Sequence, residues 1–569
     1  MLDPKYLEKF SDQLLGIIDT LTIAIISDMA KRIVKMGNVS ESTKHQAEVL
    51  QNAGLVYKDT IKRVSQVSGY QKHEVQRMYE EAGVRNLKNE AVYYKQAGKE
   101  DIKLNQSNGM QRILQANIRK TCQELDNLTM TTAVRSQSAY IQACNKAQMK
   151  VSSGAFSYDK AIADAIKEAA VQGTEVLYPS QHVDKLDVAV RRAVLTGVNQ
   201  TAAEMNLQYA KDQNCDYVET TAHEGARPEH AVWQGKVFCL SGTDPKYENF
   251  YEETGYGTGP GLCGWNCRHN FHAFFPGIST PAYTQEMLDD YSAKNVEYNG
   301  KQFTEYEAGQ MQRGHERQIR ETKRKLAGYN SAISEAKDDL KNTLQNRFNE
   351  ESVRLKKQEA ALKVFCKETG RRYESARVQI HAVKNKAGDI VGFNRSVAQK
   401  AVWQDRKNTF KNQMSKQLEK LAEEEKKAIW RYTGNAANRV NSAIYSGKQQ
   451  RIDQEKGFMD LLDSALSKGT AEHKMVVHRD TIPEYLNAFP KGFQYSEEDI
   501  KRMNGMTLTN KGYTSTSFHD IMYQGRNVHL EIEIPKGYKG CLYIKDVATE
   551  KYKNCLLYTS DAADEARSV

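Results

Sequence analysis

The sequence lacks a hydrophobic run long enough to cross a membrane. A transmembrane helix needs roughly 20 consecutive apolar residues. The nearest stretch, residues 15–30, is interrupted by five polar side chains, Asp19, Thr20, Thr22, Ser27 and Asp28. The N-terminus also lacks the basic and apolar segments of a secretory signal peptide. These absences argue against an integral membrane protein and predict synthesis in a cytoplasm, with any exit by another route.

The chain also lacks a cysteine framework and a strong excess of charge. Its nine cysteines are dispersed over 569 residues. An odd, scattered set without a signal peptide predicts reduced thiols rather than disulfides. The formal net charge of +9 is too dilute to indicate a nucleic-acid partner, although a local basic face could contact DNA. The length predicts roughly three or four domains.

Proline is absent from residues 5–178, where helix-forming residues dominate. Apolar side chains recur there at spacings of three and four, as in Leu14, Ile17, Ile18, Leu21 and Ile25. We therefore predict a helical region over residues 1–215, with a turn at residues 154–158. It could be a platform for partner subunits or a plain helical domain, and the residues leave both readings open.

Residues 216–280 break this pattern, because Gly, Pro, aromatic residues, His and Cys concentrate there. Cys263, Cys267, His269 and His272 could surround a zinc ion, but their spacing is not that of a usual zinc knuckle. The sequence therefore predicts a small β-containing module that binds no metal, in which backbone groups satisfy the thiols and imidazoles.

Arg227 and His230 in the same module could form a catalytic pair. A packed turn fixed by Pro228 explains them as well. A metal-dependent or nuclease-like activity of this module is a further functional hypothesis.

Three tracts in this module, with one further along, resemble a known family. They are H-x-x-x-R-P-x-H at residues 223–230, W-x-G-K-V at 233–237, G-W-N-C-R-H at 264–269 and the segment 362–370. Their series resembles the minor capsid proteins of tailed phages of Gram-positive bacteria, related to the Mu-type head morphogenesis proteins. The resemblance reaches from the N-terminus to about residue 385. It implies a low-copy internal head protein near the portal that is ejected with the genome.

Residues 281–382 return to helix-forming, mixed-charge composition. A rough seven-residue spacing of apolar side chains runs through Ile319, Leu326, Ile333, Leu340 and Leu344. It predicts a long helical hairpin or a coiled coil. Residues 383–424 contain a turn and a polar helix, and we interpret them as a connector.

The segment 425–554 has the pattern of an α+β module, with short helices ahead of three strand-like tracts. Arg479 ends the first tract, and the triplet Ser515, Thr516 and Ser517 ends the second. By themselves these are a surface arginine and an ordinary strand of small hydroxyl residues.

Together with the Tyr-Thr-Gly opening at residues 432–434, they resemble the toxin-type ADP-ribosyltransferases of the Arg/Ser-Thr-Ser/Glu class. The resemblance implies NAD as co-substrate, cleavage of the nicotinamide–ribose bond and transfer of ADP-ribose to a protein side chain. Arg479 would bind the NAD diphosphate through two charge-assisted hydrogen bonds. Ser515 would orient the catalytic carboxylate, and Thr516 and Ser517 would brace the strand pair.

Two residues downstream would extend this site. Tyr523 would stack on nicotinamide and Arg526 would reach a phosphate. The class usually has Phe in this segment, and Gly525 would place polar residues nearby in any case.

The catalytic glutamate of the class, in an E-x-E or Q-x-E pair, is harder to place. Glu531 and Glu533 match the spacing, but they lie in an alternating strand too soon after the triplet, so we expect them on its solvent face. Glu550 is better placed but lacks its pair. We expect the catalytic glutamate beyond Asn554, and therefore at most weak NAD binding by the chain as written.

Residues 555–569 resemble the translation of a sequencing adapter and continue no strand pattern; a native disordered tail is the alternative.

The fold prediction is therefore a multidomain chain. A mostly helical body with a Cys/His-containing α+β module precedes an incomplete ADP-ribosyltransferase-like α+β module. One functional hypothesis is a virion minor capsid protein whose effector is released into the host cell or the extracellular space. The other is a purely structural head protein with a non-catalytic C-terminal module. The predicted partners are portal and other head proteins, packaged DNA and a host acceptor protein, without a membrane.

Overall fold

The structure is a computed structural model that describes part of the chain. The described residues are 2, 6, 10, 12–36, 42–242, 244–380, 383–384, 390–472, 474–481, 512–517, 528–544, 547–549 and 555–558. The chain divides into two compact units, Met1–Ala401 and Val402–Val569. No helix in these described ranges is long and apolar enough to span a bilayer.

Long helices build the first unit, as the proline-free sequence predicts. They are α1 (Asp12–Lys35), α2 (Ser42–Gln96), α3 (Asn108–Ser152), α4 (Tyr158–Gln172) and α5 (Leu186–Asp212), with a 3-10 turn at Leu104–Gln106. The predicted turn at residues 154–158 separates α3 from α4. A short hairpin of β1 (Glu175–Leu177) and β2 (Val183–Lys185) precedes α5 and was not predicted. The helices share one core with residues of α9 and α10, defined below.

A three-stranded antiparallel sheet follows, in the order β4-β3-β5. Its strands are β3 (Tyr217–Thr220), β4 (Val237–Cys239) and β5 (Phe271–Ala273), with the short helices α6 (Pro228–Ala231) and α7 (Phe250–Thr254) between them. This confirms the predicted small β core. Asn206 of α5 donates from Nδ2 to the Phe271 carbonyl at 2.8 Å, so the sheet is held against the helical body.

The next region combines an unpredicted hairpin with the predicted long helices. Helix α8 (Gln285–Ser292) leads to β6 (Val296–Tyr298) and β7 (Lys301–Phe303). Asn299 and Gly300 turn this hairpin with positive φ angles of 51° and 71°. Asn-Gly is a strong sequence signal for such a turn.

Helix α9 (Glu305–Ile333) begins with a capping box, in which Glu307 N donates to Thr304 Oγ1 at 3.2 Å and Thr304 N donates to Glu307 Oε2 at 2.9 Å. Helix α10 (Asp338–Glu368) packs beside α9. Because α9 ends at Ile333, the seven-residue series does not run along one helix, and the hairpin reading is the one that the structure confirms. After α10 come α11 (Ser375–Val378), β8 (Val383–Lys384), β9 (Ile390–Val391) and α12 (Arg395–Ser415). The boundary between the two units, after Ala401, falls within α12.

The second unit begins with helices and ends in a sheet, as predicted for an α+β module. After a 3-10 turn at Lys416–Lys420 come α13 (Glu423–Arg431), a π-helical turn at Tyr432–Ala436, α14 (Ala437–Ser446) and α15 (Gln449–Ser467). Leu418 and Leu421 lie in the core of this unit, so its core starts before the residue 425 at which we placed the boundary.

Five antiparallel strands form the sheet of the second unit, in the order β12-β10-β11-β14-β13. They are β10 (Met475–Thr481), β11 (Thr514–Ser517), β12 (Val528–Ile534), β13 (Cys541–Tyr543) and β14 (Cys555–Tyr558). Leu542 and Leu557 pack with α13 to α15 on one face. Val477 and Leu556 belong to a separate cluster on the other.

Candidate functional site

Arg479 and the hydroxyl triplet lie on neighbouring strands. β10 pairs with β12 along its whole length and meets β11 at His478 and Ser517. Arg479 Nη1 donates to the carbonyl oxygen of Ser515 at 3.0 Å. The structure therefore brings together the arginine and the triplet that the sequence singled out.

The side chains of these residues divide between the two faces of the sheet. Since successive strand residues alternate and paired residues share a face, Arg479 and Thr516 lie on one face. Ser515 and Ser517 lie on the other, with His478. Thr516 Oγ1 donates to the Leu556 carbonyl at 3.2 Å, so it braces β11 against β14, not against the strand of Arg479.

The Tyr-Thr-Gly opening contacts Tyr513, the residue directly before β11. Tyr432 donates its hydroxyl hydrogen to the Tyr513 carbonyl at 3.1 Å. Asn441 accepts from Tyr513 N at 3.0 Å and donates to the Tyr432 hydroxyl at 3.0 Å. Thr433 Oγ1 accepts from Thr549 N at 3.1 Å. The opening thus positions β11, and sequence reasoning missed the bridging Asn441.

A second polar pair beside Arg479 also went unpredicted. His529 of β12 pairs with Asp480 of β10 in the strand register, and its Nδ1 lies 2.6 Å from Asp480 Oδ1. The His529 and His478 rings stack with centroids 5.5 Å apart. Asp480 is buried. The period-2 alternation of both strands was the available signal for this pair, but the register between them was unknown.

The two glutamates of the E-x-E match are exposed, which confirms the expectation that they lie on the solvent side. Glu533 forms an ion pair with Lys474, and Glu531 pairs with His478 in the strand register, away from the face of Arg479. Among the described sheet residues, the face that carries Arg479 holds no carboxylate. Three other residues considered for the site lie outside the described part of the chain, Tyr523, Arg526 and Glu550.

The expectation that no strand continues beyond Asn554 is wrong for residues 555–558. They form β14, which lies between β11 and β13 with Ser515 opposite Leu557 and Tyr543 opposite Leu556. Leu556 and Leu557 are both fully buried, one on each face. Because both leucines are buried, β14 is an interior strand. Its sequence therefore lacks the alternation of apolar and polar residues that identifies a strand with one exposed face. Residues 559–569 lie outside the description.

The first unit holds a separate cluster in its small β module. The metal-ligating atoms of His230, Cys267 and His269 lie within 4.8 Å of one another, and all three residues are buried. Cys267 Sγ is 3.6 Å from His269 Nδ1. Arg227 Nη2 lies 3.2 Å from His230 Nε2, so the pair noted in the sequence is indeed adjacent.

Only two of the four residues first considered for zinc belong to this cluster. Cys263 Sγ instead donates to the His269 carbonyl at 3.4 Å. The ring of His272 stacks on Tyr93 at 4.0 Å, and its Nε2 faces Glu219 at 3.6 Å. Because β5 begins at Phe271, His269 lies in the loop and His272 on the strand, where it points to different neighbours.

Burial keeps this cluster neutral when no cation is bound. It raises the pKa of the Cys267 thiol to about 11 and lowers the pKa of His269 well below its usual value, which the nearby His223 and His230 lower further. A neutral thiol beside a neutral imidazole is not an activated nucleophile. The arrangement therefore does not support a cysteine-dependent hydrolase.

Glu219 and His272 form a second buried pair. Burial raises the pKa of Glu219 to about 7 and lowers that of His272 to about 4. Glu219 Oε1 accepts a hydrogen bond from Ala282 N at 2.7 Å. This bond favours the charged carboxylate, but it does not bring the pKa down to the usual value. Glu219 and His272 are therefore both neutral in mildly acidic solution.

Family models match both parts of the chain. Residues 2–367 match the model described as "Phage minor capsid protein 2". Residues 407–562 match the model described as "ADP-ribosyltransferase exoenzyme", which includes Arg479, the triplet and β14.

Individual relatives are distant. A structural protein of Lactococcus phage LL-H is 28% identical over 228 residues, or 38% of this chain, and the match spans 58% of that relative's length. Among solved structures, Plx2a, an ADP-ribosyltransferase toxin from Paenibacillus larvae, is 26% identical, with a TM-score of 0.23, 27% of this chain and 82% of the toxin covered. C3stau2 from S. aureus, solved with NAD, is 22% identical, with a TM-score of 0.24 and the same coverage. The chain belongs to the phage minor capsid protein 2 family and carries a C-terminal ADP-ribosyltransferase exoenzyme domain.

Proposed function

We propose that this protein is a virion minor capsid protein whose second unit is an NAD-dependent protein mono-ADP-ribosyltransferase, delivered into the host with the genome. The observation that carries the proposal is Arg479 beside β11, within the segment that matches the exoenzyme family. Arg479 lies within β10, two residues before its end, and not at the strand end that the sequence indicated. A guanidinium can bind a diphosphate through parallel hydrogen bonds.

The chemistry assigned to the site is the one that its match to the ADP-ribosyltransferase exoenzymes implies. Arg479 binds the NAD diphosphate on its face of the sheet, where Thr516 holds β11 against β14. Loss of nicotinamide creates an oxocarbenium-like ribose, so a carboxylate must stabilise positive charge there. The target is a protein of the host cell. The first unit contacts the portal, other head proteins and packaged DNA inside the capsid.

NAD binding by the full chain is the primary test, since the sequence expectation for this chain is binding with little transfer. We expect saturable binding by calorimetry, weakened roughly 10- to 100-fold by Arg479→Ala, because charge-assisted hydrogen bonds are each worth about 1.5–3 kcal/mol. Arg479→Lys should fall between the two. The double change Glu531→Gln and Glu533→Gln, at exposed positions away from the Arg479 face, is the matched control and should leave NAD affinity unchanged.

Transfer is measured with NAD labelled in its adenylate half and a host lysate as the acceptor. Any labelled protein must disappear with Arg479→Ala. A chain that binds no NAD and labels no protein would contradict the proposal and favour the purely structural head protein.

A further inference from the structure

The His230–Cys267–His269 cluster lies in the first unit, in a module that the ADP-ribosyltransferase reaction does not use. His230 belongs to α6, while Cys267 and His269 lie in the loop before β5. Their ligating atoms are mutually within 4.8 Å. The three side chains therefore converge from two segments of the chain on one buried point.

Gln234 orients the His269 ring. Its Oε1 lies 3.0 Å from His269 Nε2 and also accepts from His223 N at 3.2 Å. Because Oε1 can only accept, Nε2 carries the ring hydrogen, and Nδ1 keeps its lone pair, directed at Cys267 Sγ 3.6 Å away. A polar partner on the far nitrogen is the usual companion of a metal-binding histidine.

His230 is held in a similar way. Its Nε2 lies 2.8 Å from the Pro260 carbonyl and 3.2 Å from Arg227 Nη2, and these two contacts fix the orientation of the ring. The loop that supplies Cys267 is tightly closed on itself, since a Cβ at Gly264 would lie 2.1 Å from the Gly259 carbonyl oxygen. Asn266 has a positive φ of 55°, a strained conformation for a residue with a side chain, and it directly precedes Cys267.

We propose that His230, Cys267 and His269 bind one zinc ion, with water in the fourth position. One thiolate with two imidazoles is a donor set that suits zinc rather than magnesium or calcium, and three protein ligands plus water is a known zinc arrangement. Binding exchanges the Cys267 thiol hydrogen for the metal and releases a proton. The resulting thiolate also balances the positive charge of Arg227, 3.2 Å from His230.

The ligand set differs from the one that the sequence suggested. It replaces Cys263 and His272 with His230, which is 37 residues from Cys267 in the numbering of the chain. Those two excluded residues are therefore matched controls of the same chemical types.

The first measurement uses the unaltered full chain. After dialysis against a weak chelator, elemental analysis should find about one zinc ion per chain. Replacement by Co²⁺ should give a thiolate-to-cobalt charge-transfer band in the near ultraviolet. This band needs no substitution and so does not depend on how a variant folds. Absence of zinc together with absence of the band would overturn the proposal.

Substitutions then assign the ligands. Cys267→Ser should abolish the charge-transfer band, and His230→Gln and His269→Gln should reduce bound zinc to near zero. Cys263→Ser and His272→Gln should retain both signals. Gln234→Ala should weaken zinc binding about 10- to 100-fold, as loss of an orienting partner does. A band that survives Cys267→Ser but disappears with Cys263→Ser would overturn this ligand set.

Discussion

Glu219 is a buried carboxyl group whose pKa lies above the usual value for glutamate. Its pKa is about 7 because burial disfavours the charged form. The folded chain therefore holds this proton between about pH 4.5 and 7, where the unfolded chain has released it, so this group makes folding less favourable as pH rises through that window.

Glu219→Gln removes this penalty and keeps an acceptor for Ala282 N. The variant should gain stability relative to the unaltered chain as pH rises from about 5 to 8, by at most about 3 kcal/mol, since each pKa unit corresponds to about 1.4 kcal/mol. Denaturant unfolding of the first unit at the two pH values measures the change. Glu229→Gln, at an exposed position, is the control and should show no such trend. Equal behaviour of the two variants would contradict the assigned protonation.

Individual site residues differ in how far the sequence could reveal them. Arg479 and Ser515 were identifiable because the order and spacing of an arginine and a hydroxyl triplet resemble those of the ADP-ribosyltransferases, although neither is distinctive by itself. Asn441 was not, since its partner Tyr513 lies 72 positions away and an asparagine on a helix has no distinguishing local pattern. His230 was noted as a neighbour of Arg227, but its meeting with Cys267 depends on the fold of the loop.

Helix α9 is anchored by a buried charge network. Arg320 donates from Nε to Asp187 of α5 at 2.9 Å and from Nη1 to the Gln379 carbonyl at 2.7 Å, and it also pairs with Asp19 of α1. All three charged residues are buried. Three helices are therefore joined at a single guanidinium.

Arg320→Met should lower the stability of the first unit by about 3–5 kcal/mol, because it leaves the buried Asp19 carboxylate without its partner, while Asp187 keeps only Arg324. Thermal or denaturant unfolding measures the loss. Arg317→Met, at an exposed position of the same helix, should change stability by no more than about 0.5 kcal/mol. Adding Asp19→Asn to Arg320→Met should restore part of the loss, and failure to do so would contradict this explanation.

Asn441 links α14 to Tyr513, the residue directly before β11. Asn441→Ala leaves the Tyr513 N–H without its acceptor and should cost about 1–3 kcal/mol in the second unit. Asn441→Asp keeps an acceptor and should cost less, while Asn438→Ala, exposed on the same helix, should be nearly neutral. Unfolding followed by a signal from the second unit distinguishes these outcomes.

At the level of elements, the sequence predicted the long helices and the sheet-bearing modules but not the small hairpins. Helices were visible because a proline-free, periodic pattern persists over many residues. β1, β2, β6 and β7 are three-residue strands, too short to show a period. The Asn299–Gly300 turn was the usable signal for the second hairpin. β14 was missed because its two leucines are buried on opposite faces.

Each unit of the molecule has its own core, one in Met1–Ala401 and another in Val402–Val569. We therefore expect two unfolding transitions in calorimetry. Arg320→Met should lower the transition temperature of the first unit only, and Asn441→Ala should lower that of the second unit only. A single transition moved by both substitutions would contradict independent cores.

The interior position of β14 sets an order of events during synthesis. N-terminal domains fold first as a chain leaves the ribosome. The capsid unit ends at Ala401, so it can fold while the rest is still being translated. The sheet with Arg479 cannot close until Tyr558 has emerged, because β11 and β13 meet only through β14. A nascent chain therefore carries a folded first unit before the sheet of its second unit is complete.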